Sequence, residues 1–300
     1  MKRHSLLTYI LLLGLVTGSA MGQLKKRIAV FSFENKSKSG WSWYTGGSPG
    51  DGMADMLTTE LVKSGKYTVI EREEIAKIMQ EQNLGMSGRV TEQSAAKVGK
   101  LLGVELAVLG AVTEFGASKG GTGGRIKGVR LGVSKQKASV AIDVRIVNTT
   151  TGEILAAENV RKEKSKGGLS ISTPKGGFRN RNDFDRSLAG KATREAVESI
   201  MALIEKQMKA VAWEGKVIMV RGADIYIKPG ADAGVAIGDV FDVFSAGEAL
   251  IDPDTGLSLG SEEVKVGTIK VTSLVSGGKA AKAAAQSGSG FEKGHLVRQQ

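Results

Sequence analysis

The most regular alternation of apolar and polar positions in the chain runs from Ala138 to Ile146. Ala138, Val140, Ile142, Val144 and Ile146 take the even positions, and Ser139, Ala141, Asp143 and Arg145 the odd ones. A period of two predicts a half-buried strand. Thr149-Thr150-Thr151-Gly152 predicts a turn, because Gly152 can take the positive φ of a tight hairpin, and Ile154 to Val160 returns as the partner strand. On both sides of this pair the texture changes. Gly116 to Lys137 holds seven glycines and neither proline nor an aromatic residue, and Lys162 to Arg181 is similarly polar. Neither stretch can build a buried core alone, so both are expected as loops or as strands completed by another chain.

Upstream, Arg27 to Phe33 predicts a first core strand. Asp51 to Lys63 predicts a helix, with Met53, Met56, Leu57 and Leu61 as its apolar stripe and Gly65 as its stop. Tyr67 to Glu71 reads as a strand and Glu73 to Gln82 as a helix. A further helix starts at Thr91 and Ser94, carries Ala95, Val98, Leu101 and Leu102, and stops at Gly103, before a strand from Val104 to Phe115. Arg186 to Ala210 carries the longest helical register, through Leu188, Ala192, Ala196, Ile200, Leu203, Ile204 and Met208. After Trp213 the pattern is all-β, with strands over 216–220, 225–227, 240–244 and 264–275 separated by glycines and Pro229. The expected fold class is therefore α+β: a mixed sheet with helices, two β-hairpin excursions able to join an oligomeric transmembrane β-barrel, and a small C-terminal all-β barrel. The expected division is residues 1–22 as a signal peptide, 23–212 as an α/β domain with hairpin insertions at about 116–144 and 160–185, and 213–300 as the barrel.

Composition narrows the function. Lys2 and Arg3 precede an apolar run of 11 residues, Leu6 to Val16, with small residues at Ala20 and Gly22, which predicts a targeting signal cleaved after Gly22. That run is too short for an ordinary spanning helix, and no later segment approaches ~20 continuous apolar residues. Loss of Lys2 and Arg3 lowers the formal charge from +11 to +9, a modest and dispersed excess. Together with export, it gives no reason to expect a nucleic-acid partner. There is no cysteine, and of two histidines His4 leaves with the signal. Thiol chemistry, histidine-based catalysis and a multi-histidine metal site have no material to work with. Gly120-Gly121-Thr122-Gly123-Gly124 lacks the Lys-Ser/Thr ending of a phosphate-binding loop. Asp252-Pro253-Asp254-Thr255-Gly256 reads as a turn, since Leu257 stands where a calcium loop requires glycine. No catalytic residue, cofactor or metal site is expected, and the chain is read as a non-enzyme.

What remains is membrane insertion by strands, which need ~9 to 11 residues each with one apolar face. Val129, Leu131 and Val133 alternate with Gly128, Arg130, Gly132 and Ser134, predicting a short strand that turns at Lys135-Gln136-Lys137 into the strand carrying Val140 and Ile142. In the second excursion Leu169 and Ile171 alternate before Pro174-Lys175-Gly176-Gly177, and Phe178 to Phe184 is mostly charged or amide. Two of the three tryptophans, Trp41 and Trp43, lie with Tyr44 in one polar, glycine-rich loop from Asn35 to Gly50. Such aromatics either dock the loop onto the core or line a functional constriction.

At these residues the chain resembles the curli production assembly/transport component (CsgG) family. The resemblance rests on Lys119-Gly120-Gly121-Thr122-Gly123-Gly124-Arg125, on Val144-Arg145-Ile146-Val147-Asn148 followed by Thr150-Thr151-Gly152-Glu153-Ile154-Leu155, on Ile70-Glu71-Arg72-Glu73, and on Gly177-Phe178-Arg179 leading to Phe184-Asp185. It covers about Arg27 to Lys209. It implies an oligomeric outer-membrane channel in which each periplasmic protomer donates two hairpins to a shared barrel exporting unfolded, curli-like fibre subunits. The implied partners are a homo-oligomeric ring, the outer membrane, the exported subunits and periplasmic or outer-membrane accessory proteins. Family members constrict the pore between first strand and first helix, which matches Trp41 to Ser48 and raises Trp41, Trp43 and Tyr44 as constriction candidates. Val129, Leu131, Val133, Val140, Ile142, Leu169 and Ile171 are the membrane-hairpin candidates. The family's channels are lipoproteins, whereas Gln23 stands at the expected start here. A soluble periplasmic adaptor on the same scaffold, docking to envelope machinery without a pore, is the alternative. Trp213 to Arg298 is similar to the C-terminal module of a flagellar T-ring protein, which implies docking to a neighbour or an envelope partner.

Overall fold

The computed structural model describes residues 24–38, 40, 42–81, 91–126, 129–168, 178, 180–251, 253 and 258–300. The expected signal segment and residues 169–177 and 179 of the expected second hairpin lie outside them, as do Asp252 and residues 254–256 of the expected turn.

Among the described residues, the N-terminal part is a six-stranded mixed sheet in the order β3-β1-β4-β5-β6, with β2 beside β4. β1 (Lys26–Val30) lies between β3 (Tyr67–Ile70) and β4 (Leu106–Ile126), parallel to both, while β5 (Val129–Asn148) and β6 (Ile154–Gly168) add antiparallel to β4. β2 (Glu34–Asn35) runs parallel to β4 at Ala111 and Val112. The helix α1 (Pro49–Ser64) makes the crossover from β1 to β3, and α2 (Arg72–Glu81) with α3 (Glu92–Leu102) the one from β3 to β4. Both faces of the sheet are therefore covered, and the strands sort their side chains accordingly. Ile28 and Val30 join the core with Met53, Leu57 and Leu61 of α1, whereas Ala29 and Phe31 join the opposite core with Ile75, Ala95 and Val98. Ala138, Val140, Ile142, Val144 and Ile146 are all buried, under Ala196, Ile200 and Ile204 of the long helix α5 (Leu188–Ala210).

Local signals set the helix ends. Ser48 Oγ accepts from Asp51 N at 3.1 Å, Pro49 starts α1, and Gly65 closes it at φ +65°. The helix expected from Arg186 to Ala210 forms without a break, starting two residues later as α5. A short α4 (Arg181–Arg186) ends at Ser187, whose Oγ accepts from Gly190 N at 2.9 Å and opens α5. The chain doubles back so closely that a Cβ on Gly190 would stand 1.9 Å from the Phe184 carbonyl oxygen.

The turn expected at Lys135-Gln136-Lys137 does not form. β5 runs unbroken through it, with Lys137 opposite Ser118 and Lys135 opposite Gly120, and the ladder continues to Ile126 opposite Val129. The polar triplet marks where the strand passes beyond the cover of α5, not where it reverses. The glycine-rich stretch from Gly116 to Ile126, expected as loop or as a strand needing another chain, pairs within its own chain.

The C-terminal part is a closed antiparallel barrel in the order β10-β11-β8-β7-β12-β9. It comprises β7 (Glu214–Arg221), β8 (Asp224–Lys228), β9 (Val240–Ile251), β10 (Ser258–Leu274), β11 (Ala281–Gly288) and β12 (Leu296–Gln299). Trp213 stacks on Phe241 at 5.2 Å in its core, with Val217, Ile227, Val243, Ile269 and Val297 around them. The two parts are joined at the start of β1. Lys25 N donates to Ala233 O at 2.7 Å, and Leu24 packs against the barrel core. Glu105 is buried in a small cavity at this junction, lined also by Arg27, Thr149, Glu214 and Lys216. Its Oε2 accepts from Arg27 N at 2.7 Å. Burial pushes its carboxyl up to about 7, against the opposing pull of backbone donors and the Arg27 charge.

Candidate functional site

Three segments far apart in sequence meet where β4 and β5 leave the core. The loop after β2 stays against β4 through Lys36 N, which donates to Val112 O at 2.8 Å. It then closes on itself, with Trp43 N donating to Gly47 O at 3.1 Å and Gly46 N to Trp43 O at 2.9 Å. This holds the Trp43 indole on α1 at Gly52, where any Cβ would stand 2.0 Å from the ring. Trp43 is 3% exposed, 4.6 Å from the Phe184 ring and 5.8 Å from Phe115. Tyr44 is half-buried beside it, 5.3 Å from Trp43 and 5.4 Å from Phe184. Phe178 meets Phe184 edge-on at 5.0 Å and Phe115 at 6.3 Å. The aromatic cluster thus ties the loop, the foot of β4 and the segment returning from the second excursion into one anchor.

Above the anchor the sheet continues as three strands. Gly116–Ile126 and Val129–Ser139 pair over 11 residues each, and β6 pairs with β5 as far as Ser134 opposite Gly168. On the face turned from α5, Arg161 contacts Glu114 and lies 3.0 Å from Glu163, which also meets Lys137 at 2.8 Å. On the other face Lys164 pairs with Glu195 of α5. Beyond Val112 the outer edge of β4 has no strand partner among the described residues, and neither does the outer edge of β6.

The sequence-derived candidates fall into three groups. Trp43 and Tyr44 lie in the anchor, and Trp41 lies outside the described residues. Val140 and Ile142 are fully buried under α5. Val129, Leu131 and Val133 stand in the ladder opposite Ile126, Gly124 and Thr122, and Leu169 and Ile171 lie outside the described residues. Phe115, Phe178 and Phe184 were not singled out as site residues. Their signal is an aromatic residue at each foot of the polar excursions. Among the described residues no group of three or more His, Cys, Asp or Glu could hold a metal ion, and no helix is long and apolar enough to cross a membrane.

This architecture defines an α+β module with a protruding strand ladder and an appended all-β barrel. The chain belongs to the CsgG family, described as curli production assembly/transport component, whose sequence profile matches residues 15–221. Curli production assembly/transport component CsgG of Escherichia coli (strain K12) is 28% identical over 152 residues, covering 49% of this chain and 53% of that protein. The protein of the same name from Salmonella typhimurium gives the same figures. The chain thus spans about half the length of the curated relatives it matches. Among solved structures, the hypothetical protein CT253 from Chlamydia trachomatis is similar at 16% identity, with a TM-score of 0.42, over 62% of this chain and 99% of that one. Lipoprotein GNA1162 from Neisseria meningitidis is similar at 13% identity, with a TM-score of 0.32, over the same shares.

Proposed function

We propose that the chain is the protomer of a ring-forming outer-membrane secretion channel that exports unfolded, curli-like fibre subunits. Family membership supports a part in curli assembly or transport, and one structural observation carries the pore. Ser118–Ile126 and Val129–Lys137 run nine residues each past the core as a paired ladder, within the length of a strand that spans a bilayer, about 9 to 11 residues. A ladder with free outer edges is a liability in one chain, and closing it around a ring removes the edges. In this reading Val129, Leu131 and Val133 face lipid, joined by Leu169 and Ile171 of the second hairpin, while Val140 and Ile142 are the footing below the membrane. The loop after β2 constricts the passage through Trp41 and Tyr44, and Trp43 is the pin that holds it. The barrel at 213–300 docks a periplasmic or outer-membrane accessory protein. Its β9–β10 arm presents Leu250 and Val264, each 60% exposed, for that contact.

Fractionation tests the reading. The mature chain is expected to leave membranes only with detergent and to run there as a large ring. Release in buffer as a small, low-order oligomer would replace the channel with a periplasmic adaptor.

A further inference from the structure

The sheet and the barrel meet around one acidic side chain. Glu105, between α3 and β4, is 8% exposed. Its Oε2 accepts from Arg27 N of β1 at 2.7 Å, and the backbone N–H of Glu214, the first residue of β7, also donates to that carboxyl. One side chain thus takes amides from both bodies. Lys25 N crosses the same junction, donating to Ala233 O at 2.7 Å. Among the described residues, no charged group that faces Glu105 forms an ion pair with it. On β1, Arg27 keeps a buried Nε without a hydrogen-bond partner, and the Lys26 ammonium donates to Met208 O. On β7, the Glu214 carboxylate is held 2.9 Å from Arg298. Lys216, with Lys228 of β8, lines the cavity but stays exposed to water. Thr149 and Thr150 complete the polar wall, and the Thr149 hydroxyl is committed to Val104 O.

A carboxylate in that place is dry and unpaired, a cost that a neutral carboxyl escapes. Burial therefore keeps the proton on up to about 7. The cavity beside it, about 120 Å³, gives the junction a place to part. Separating β7 from Glu105 admits water to the carboxylate and opens neither core, since the cores of sheet and barrel share no buried residue. We propose that Glu105 is a proton-operated latch: with its proton the barrel is seated on the sheet, and without it the junction opens and the barrel is free to turn. A solvated carboxyl titrates near the ordinary 4.5, so between about 5 and 7 only the closed form holds the proton, and rising pH favours opening. Lys26 acts with the opposite sign, because burial lowers its ammonium and rising pH then favours the closed form. The latch is a property of one chain and stands whether or not the ladder forms a pore.

Amide hydrogen exchange of the full mature chain tests the latch, each rate being divided by the intrinsic rate at the same pH. Lys25 and Glu214, whose amides bond across the junction, should lose protection together, about tenfold per pH unit between about 5 and 7 and no further above. At each pH they should exchange faster than the buried Val140 and Ile142, because the junction opens before the fold does. In Glu105→Gln the protection of both should be flat over this range. In His295→Gln, which removes a side chain that accepts from Glu292 N within the barrel, the wild-type slope should persist. A flat profile in the wild type would overturn the latch without any variant. So would a slope that survives Glu105→Gln, a slope lost in His295→Gln, or loss of protection at Lys25 alone, the mark of a fraying strand end. Exchange of the two amides at the rate of the core would overturn it as well, since the barrel would then separate only when the chain unfolds.

Discussion

Two residues carry testable consequences on their own. Glu105 joins the sheet to the barrel, and its carboxyl sits at about 7 because it is buried. An unfolded glutamate titrates near 4.5, so between these values the folded chain holds a proton that the unfolded one has released. Stability therefore falls as pH rises from about 4.5 to about 7 and levels above that, by at most about 3 kcal/mol. Glu105→Gln keeps an acceptor for Arg27 N and removes the charge, so thermal melts should show a higher Tm at pH 8 and a flatter profile below 7. An unchanged slope would mean that Glu105 does not dominate this range. Gly52 makes the second case. Its backbone φ is ordinary, and the constraint is the indole against it, so Gly52→Ala must push Trp43 off α1 at a cost of about 1 to 3 kcal/mol. A chemical melt equal to that of the wild type would show that the loop has another way to settle. The aromatic anchor itself was hard to read from sequence, because Trp43, Phe115 and Phe184 come together only through the tertiary fold.

Elements differ in how much of themselves they announce. β5 was legible from Ala138 to Ile146 because α5 dries one face and the other stays wet, which is the condition that writes a period of two into sequence. At Lys135-Gln136-Lys137 the same strand is not a turn as expected: among the described residues no helix covers Lys135 or Lys137, both exposed, and the alternation has no dry face to follow. Gly116 to Ile126 was opaque for a related reason: glycines carry no pattern, and their strand is fixed by the partner's register. In the barrel, β11 escaped notice because Ala281 and Ala283 are fully buried yet scarcely apolar, the interior being filled by Trp213 and Phe241 instead. The ladder permits a direct test at this scale. Ser118 and Lys137 are a facing pair, so residues 119–136 can be replaced by Asn-Gly, which closes a two-residue hairpin with the right twist. The variant should keep the wild-type melting temperature, since the cores lie below the cut, and should be released from membranes without detergent. Retention in the membrane would place the attachment elsewhere. Within the loop, alanine at Trp41 and Tyr44 should raise single-channel conductance, and unchanged conductance would remove them from the passage.

At the scale of the whole molecule, the sheet and the barrel are legible as separate textures in the sequence, the change falling at Trp213. Their junction through Leu24, Lys25 and Glu105 is not, since it depends on contacts between distant segments. Among the described residues the edge of β4 beyond Val112 and the outer edge of β6 have no strand partner, and in the proposed reading a ring of such protomers supplies them. The measurement that tests this most directly is planar-bilayer conductance of the mature chain purified from outer membranes, read beside its particle size in detergent. The account requires stable unitary currents from a large ring. A small, water-soluble species that passes no current would contradict it and leave the ladder as a docking arm of a periplasmic adaptor.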